Sequence, residues 1–449
     1  MKSIIQEPKS KIGYIAIRDN FLKHYLPVIT HQQKEKYFLD PVIIFPSKTC
    51  SIFGNKNNTN ALKEKSKIYG INKSIQIYEI NDEFDFLETI KKHNIKVLVY
   101  ITCILPENIM NYTLPLSKKL GVKWCVLGHT GDELMCLDGS DCEIIKKWDL
   151  ITTINNKWKS LLKNYITNVN IAEINHVNKI QCIGSPELDQ INQFEFNKNK
   201  IKIKYGLPTD KRIIFVTSAP TYSIDPKFAK LHLNKFISFI FRLPPFIQII
   251  QRIIENDGNY MVNNFHSIKD YPAIFSLIKQ FSDRSGSIIV LKRRAKDLQP
   301  KSWEYQFSDY LIEDSSFYPF TTIELLSVAD LYIGFGSYTL IEAIALKVPS
   351  VSLLCSLYNV ESYNYMQKEL WKMWIGNNPG FEIDGVSKIF NLLSSDGWRQ
   401  FTKLMLDPSL LFQFNNKKSL EFLKDYLGND QFDFSKRFSE SVEGCFNDI

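Results

Sequence analysis

The sequence predicts an α/β protein built as two successive halves, each with its own parallel sheet. Three observations lead there. Short apolar runs suited to buried parallel strands alternate with helical stretches of about a dozen residues, the pattern of βαβ units. The alternation breaks at a polar stretch from Asn192 to Lys204 and then begins again. The chain has 449 residues, room for two or three domains, and 44% of them are hydrophobic, enough to fill the cores.

In the first half, Lys11–Ile17 reads as a strand, with Arg18-Asp19-Asn20 in the loop after it and a helix through His24. Pro41–Phe45 and Ile75–Ile80 are further strands, separated by a helical stretch around Ala61–Tyr69. Asp82 stands where it can cap a helix running to His93. Ile95–Ile101 is a continuous apolar strand, a helix runs to Leu120, and Val122–Leu127 is the next strand, ending in Gly128-His129-Thr130-Gly131-Asp132-Glu133. Leu150–Ile154 is a strand, Asn155–Tyr165 a helix, and Ile180–Gly184 leads into Ser185-Pro186-Glu187-Leu188-Asp189. The second half opens with the strand Lys211–Thr217, which ends in Ser218-Ala219-Pro220. Phe236–Ile254 is dense in Phe and Ile and includes Arg242 and Arg252; it reads as a core helix, the alternative being a surface helix on a membrane interface. Ser287–Leu291 is a strand followed by Lys292-Arg293-Arg294, Tyr310–Glu313 is a short strand, and Thr321–Val328 is a helix. After Leu354 the chain reads as helical and aromatic, with Trp371, Trp374 and Trp398.

The stretch from Ala329 to Leu354 organises the second half. Leu331–Ile333 reads as a strand, and Gly334 and Gly336 allow a tight turn and close approach of another molecule to the backbone. A helix should begin near Ser337 and Thr339, Pro349 stops it, and Val351–Leu354 is the next strand. A helix N-terminus after a glycine turn presents N–H groups that suit phosphate. Glu342, one turn into that helix, could accept bonds from the hydroxyls of a ribose. The turn lacks the dinucleotide spacing G-x-G-x-x-G. This stretch resembles the C-terminal nucleotide-site element of GT-B glycosyltransferases and of the related UDP-GlcNAc 2-epimerases. The resemblance implies two Rossmann-like domains with parallel sheets facing across a cleft. It also implies that the turn Gly336-Ser337-Tyr338-Thr339 lies at the phosphates and Glu342 at the ribose of a nucleotide-sugar donor. Ser185 to Asp189 resembles the interdomain crossover of the same enzymes, which implies an acceptor-side domain over 1–185, a donor-binding domain over 186–425, and a segment 426–449 that packs back on the first. In those families the first loop of the second domain touches donor phosphate, here at Ser218. A basic residue stands at the end of a central strand, here Lys292 or Arg294. Pro319 and Thr321 would lie near the nucleobase.

Ligands of open α/β sheets bind at the carboxyl ends of strands, and the loop Gly128–Glu133 offers one His and two carboxylates there. Asp132 is the expected base, with His129 orienting, binding or substituting for it. Asp19 is the main competitor and His24 a weaker one. The resemblance implies transfer of a sugar to a hydroxyl of a glycan or glycolipid acceptor, with a carboxylate removing the proton. Helix N-termini and Lys292 or Arg294 would stabilise the leaving phosphate, so neither metal nor other cofactor is expected. Retaining GT-B families often carry two Glu residues eight apart near this motif. Here Gly334 stands eight before Glu342 and Ser350 eight after, which favours inversion. One alternative is a UDP-sugar 2-epimerase; those enzymes carry a Gly-Thr-Arg-Pro-Glu turn where this chain has Ile17-Arg18-Asp19-Asn20. Another is a non-catalytic nucleotide- or glycan-binding protein on the same scaffold, against which the presence of both Asp132 and Glu342 argues.

A net charge of +7 fits an anionic ligand or an anionic membrane surface. No basic run is interleaved with stacking aromatics, so nucleic acid is not an expected partner. The eight cysteines are scattered without a C-x-x-C pair, which speaks against a zinc site or disulfide framework. The polar segment Met1–Lys11 lacks the apolar core of a signal peptide, and no apolar run reaches spanning length. The expected setting is the cytoplasm, with peripheral contact at the inner face of the cell membrane as the variant suited to bacterial surface-polysaccharide assembly.

Overall fold

The computed structural model describes residues 9–47, 50, 52, 74–102, 105–128, 142–168, 178–218, 260–293, 302–313, 316, 318–354, 380–392, 394–407, 413–428 and 431–447. The expected helices around Ala61–Tyr69 and Phe236–Ile254, and Trp371 and Trp374, lie outside them. The chain forms two compact units. Unit 1 gathers Met1–Glu195, Ser316–Phe320 and Glu421–Ile449; unit 2 gathers Phe196–Ser315 and Thr321–Leu420. No described helix is long and apolar enough to cross a membrane.

Unit 1 is built on a sheet of seven strands: β1 (Lys11–Ile15), β2 (Asp40–Pro46), β3 (Gln76–Ile80), β4 (Ile95–Tyr100), β5 (Lys123–Val126), β6 (Leu150–Thr153) and β7 (Ile180–Cys182). Their order is β3-β2-β1-β4-β5-β6-β7 and every neighbouring pair is parallel. β1, β2 and β4 are buried almost throughout, as the central strands of a parallel sheet with covered faces must be. Asp82 caps the helix Glu83–Lys92, its side chain accepting from the Asp85 N–H at 2.8 Å.

The helix Phe434–Asn447 also belongs to unit 1 and packs on the helix Leu22–Lys34. A chain of buried polar contacts joins it to the sheet: Tyr14 donates to Gln32 at 2.8 Å, and Gln32 donates to Ser439 at 3.2 Å. Asp189 closes its N-terminus by accepting the N–H groups of Phe434 and Ser435 at 2.9 and 2.5 Å. Gly184, at φ +93°, lies under the Phe434 ring, where a Cβ would fall 2.1 Å from a ring carbon.

Unit 2 has six strands: β8 (Arg212–Thr217), β9 (Ser287–Lys292), β10 (Tyr310–Ile312), β11 (Leu331–Gly334), β12 (Ser350–Leu354) and β13 (Ser387–Asn391). They run parallel in the order β10-β9-β8-β11-β12-β13, which reverses direction between β8 and β11. One face carries Ile214, Val216, Ile333 and Val351 against Phe275 and Phe281 of the helix Tyr260–Ser285. Strand alternation puts Phe215, Thr217 and Tyr332 on the other face, where the helices Thr321–Val328 and Thr339–Ala345 lie. The sequence reading made the chain after Leu354 helical; β13 corrects it, pairing with β12 from Ser350↔Ser387 to Leu354↔Asn391. The helix Tyr260–Ser285 is likewise not among the elements expected from the sequence.

One device recurs in both units. Asp149, Asp309 and Asp330 each stand just before a strand and accept an N–H near the start of its neighbour: Trp124, Ile289 and Ile213 respectively, each at 2.8 Å. Each carboxylate thus satisfies a backbone donor that the ladder leaves over at its entrance.

Candidate functional site

At the carboxyl ends of unit 2, strand register assembles a polar row. Thr217 pairs with Lys292, Val216 with Ile333, and Gly334 with Ser352. Lys292, Thr217, Gly334 and Ser352 therefore follow one another across β9, β8, β11 and β12, on the same face and about 5 Å apart. The row crosses the point where strand order reverses, which is where open α/β sheets take their ligands. Ser218 follows Thr217, and its N–H donates to the Lys292 carbonyl at 3.0 Å. Lys292 is 6% exposed, its ammonium 3.3 Å from the Arg293 carbonyl oxygen.

Gly334 contributes no side chain to the row, and its space is filled from below. The Tyr332 hydroxyl reaches forward past it: a Cβ at Gly334 would lie 2.0 Å from Tyr332 Oη. That hydroxyl is 3.1 Å from Thr217 Oγ1. The sequence reading gave Gly334 a role in the turn and in ligand approach; what requires glycine here is the tyrosine two residues back. Gly336 does make the turn, at φ +50°.

Beyond the row, the Gly336 N–H donates to Ser352 Oγ at 3.3 Å, and the Thr339 N–H to Ser337 Oγ at 3.4 Å. Ser337, Tyr338 and Thr339 are half-buried. The helix Thr339–Ala345 spans seven residues and has no side-chain cap, so its dipole is that of about two turns. Side chains and turn amides, rather than a long helix dipole, make up this end of the sheet. Glu342 is 1% exposed, in a helix whose residues from Leu340 to Ala345 are all buried.

The fold thus brings Ser218, Lys292 and the Gly336–Thr339 turn to one end of one sheet, with Glu342 a turn deeper. Thr217, Tyr332 and Ser352 join them without having been anticipated. His129, Asp132 and Arg294 lie outside the described residues. Asp19 opens a single helical turn, Asp19–Phe21, after β1 in unit 1.

Close to that turn, Lys23 Nζ and His24 Nδ1 lie 2.9 and 3.1 Å from Glu187 Oε2. Glu187 is fully buried and His24 is 1% exposed. His24, the weaker candidate for a base, is committed to this carboxylate and screened from solvent. Lys23 also sits over the Phe320 ring, 4.9 Å from its centroid. A groove of about 370 Å³ beside β7, lined by Cys182 and Arg437 among others, contains none of the expected residues.

Two Rossmann-like units, each a parallel sheet with a reversal of strand order, make this a protein of the GT-B fold. Solved structures agree. The S. aureus MnaA–UDP co-structure matches with a TM-score of 0.56 at 14% identity, over 98% of each chain. The UDP-N-acetylglucosamine 2-epimerase from Rickettsia bellii matches with 0.54 at 12% identity, over 98% of this chain and 97% of that one. The wall teichoic acid polymerase TagF matches with 0.51 at 12% identity, over 98% of this chain and 90% of that one. No protein-family model matches the sequence, and no curated protein matches it.

Proposed function

We propose that the chain is a glycosyltransferase that moves a sugar from a nucleotide-sugar donor to a hydroxyl of a glycan or glycolipid acceptor. The observation that carries this reading is the row Lys292, Thr217 and Ser352 at the strand-order reversal of unit 2, a basic and hydroxyl-bearing lining suited to an anionic group. The fold shared with MnaA, solved with UDP, and with the polymerase TagF supports it. In this reading Ser218 and the Gly336-Ser337-Tyr338-Thr339 turn hold the donor phosphates, and Glu342 takes the ribose hydroxyls. The acceptor oxygen attacks the anomeric carbon while the bond from that carbon to the phosphate oxygen breaks. A carboxylate takes the acceptor proton: Asp132 with His129 assisting, or Asp19 in its place. The nucleotide leaves with its charge met by Lys292 and Arg294. A single displacement inverts the anomeric centre. Surface-glycan assembly at the inner face of a cell membrane is the setting that suits such an acceptor.

A second reading, UDP-sugar 2-epimerase, draws on the coverage: the Rickettsia epimerase aligns over 97% of its own length, TagF over 90%. Against it stands the Ile17-Arg18-Asp19-Asn20 turn. A thermal-shift screen with UDP, GDP, CDP and CMP identifies the nucleotide, since a ligand that binds only the native state raises its apparent stability. Incubation with the matching nucleotide sugars then separates the readings. Slow release of nucleotide without change at C2 is expected for the transferase, and an epimerised sugar would establish the second reading. Binding with neither outcome would sink both and leave a binding protein.

A further inference from the structure

Tyr332 is fully buried in β11, its ring beside Phe215 of β8 at 5.8 Å. Its hydroxyl nevertheless ends in the polar row, in the space that Gly334 leaves, with Thr217 Oγ1 at 3.1 Å. Thr217 is half-buried and stands between Lys292 and the reversal point. A phosphate oxygen is an acceptor only, so a threonine serves it only by donating its one proton. A threonine hydroxyl left to itself can turn that proton toward any acceptor nearby. A phenol that donates to Thr217 Oγ1 from behind occupies one of its lone pairs and leaves the proton to point away from the sheet.

We infer that Thr217 is a phosphate-binding residue of the donor site and that Tyr332 is its positioning residue, donating to Thr217 Oγ1 so that the threonine proton faces the ligand. This rests on the nucleotide-sugar reading above, in which Thr217 already belongs to the row, and adds to it the direct phosphate contact of Thr217 and the positioning role of Tyr332. Gly334 then has a functional consequence: its missing side chain admits the phenol to the row.

The test uses the full chain, with whichever of UDP, GDP or CDP stabilises the wild type most, and the matching nucleoside as control, both titrated calorimetrically. Thr217→Val and Tyr332→Phe should each weaken the nucleoside diphosphate by about 10- to 150-fold, the range of one hydrogen bond to a charged group, while leaving the nucleoside unchanged. Thr217→Ser, which keeps the hydroxyl, should restore most of the affinity. Tyr332→Phe should add little in the Thr217→Val background, because the phenol acts through the threonine. Diphosphate affinity unchanged in Thr217→Val, or equal losses for diphosphate and nucleoside, overturns the inference and leaves the donor-site reading standing. A wild type that binds neither the three diphosphates nor CMP overturns both; one that binds CMP alone is titrated with CMP and cytidine in the same variants. If Tyr332→Phe fails to fold, the Val and Ser variants at half-buried Thr217 still decide whether the threonine binds phosphate.

Discussion

Raising the pH from about 4 to about 7 should weaken the hold of unit 1 on the helix Phe434–Asn447. Asp189, 3% exposed, takes the first two N–H groups of that helix. Burial is the strongest influence on its carboxyl and pushes it up to about 7, against the pull of those two hydrogen bonds. In an unfolded chain the same group titrates near 3.9. Between the two values the folded unit holds a proton that the unfolded chain has released. Stability from this group is therefore complete below about 4 and lost as the pH rises through about 7. A gap of about 3 pH units, at about 1.4 kcal/mol each, sets a ceiling of about 4 kcal/mol, or roughly 10³-fold in an opening equilibrium. Asp189→Asn keeps one acceptor oxygen and removes the titration. Hydrogen exchange of peptides covering 434–447, corrected for the intrinsic pH dependence, reads the opening of this helix directly. Wild-type protection should fall between about pH 4 and 7 and level off above, and that of Asp189→Asn should stay level throughout. The same slope in both proteins would refute the argument. Protection that rises with pH would show that the two N–H bonds outweigh burial.

Three further outcomes follow from the site. Gly334→Ala puts a methyl 2.0 Å from Tyr332 Oη and 2.5 Å from its Cζ. It should cost about 1–3 kcal/mol in wild type and far less in a Tyr332→Val background, as a double-mutant cycle of thermal unfolding would report; equal costs would locate the clash elsewhere. Glu342→Gln keeps the volume and removes the charge, so it should weaken nucleotide binding by about 1–3 kcal/mol; unchanged affinity in the folded variant removes the ribose contact. Asp132→Asn should keep donor affinity and lose at least about 10²-fold in turnover. Near-normal turnover there, with loss in Asp19→Asn, moves the base to the loop after β1.

The strands easiest to read from the sequence are those whose burial on both faces writes an apolar run, such as Val97–Tyr100 in β4. β13 escaped because Ser387 and Lys388 open it and only Ile389 and Phe390 are apolar. Asp82 was legible as a cap because a capping side chain and its target are three residues apart. Asp149, Asp309 and Asp330 were not, because their targets lie on another strand and are named only by the topology. The same limit applies at the site. Lys292 and Ser218 could be placed at strand ends by resemblance, whereas Tyr332 reads as one more residue of an apolar run until β8 is laid beside β11. Glu187 reads in the sequence only as part of the segment Ser185–Asp189, since Lys23 and His24 meet it only through the tertiary fold.

The discontinuity of unit 1 sets an order for its own making. On a ribosome, β1 to β7 emerge first, but the Asp189 carboxylate lacks the N–H groups of Phe434 and Ser435, and the Gln32 amide N–H lacks Ser439, until those residues have been translated. At ordinary rates of synthesis that interval is on the order of 10–50 s. Unit 2 draws all its strands from residues made in between and can close within it. The part begun first is finished last, and a chain that stops short of Phe434 should release a sound second unit attached to an incomplete first one.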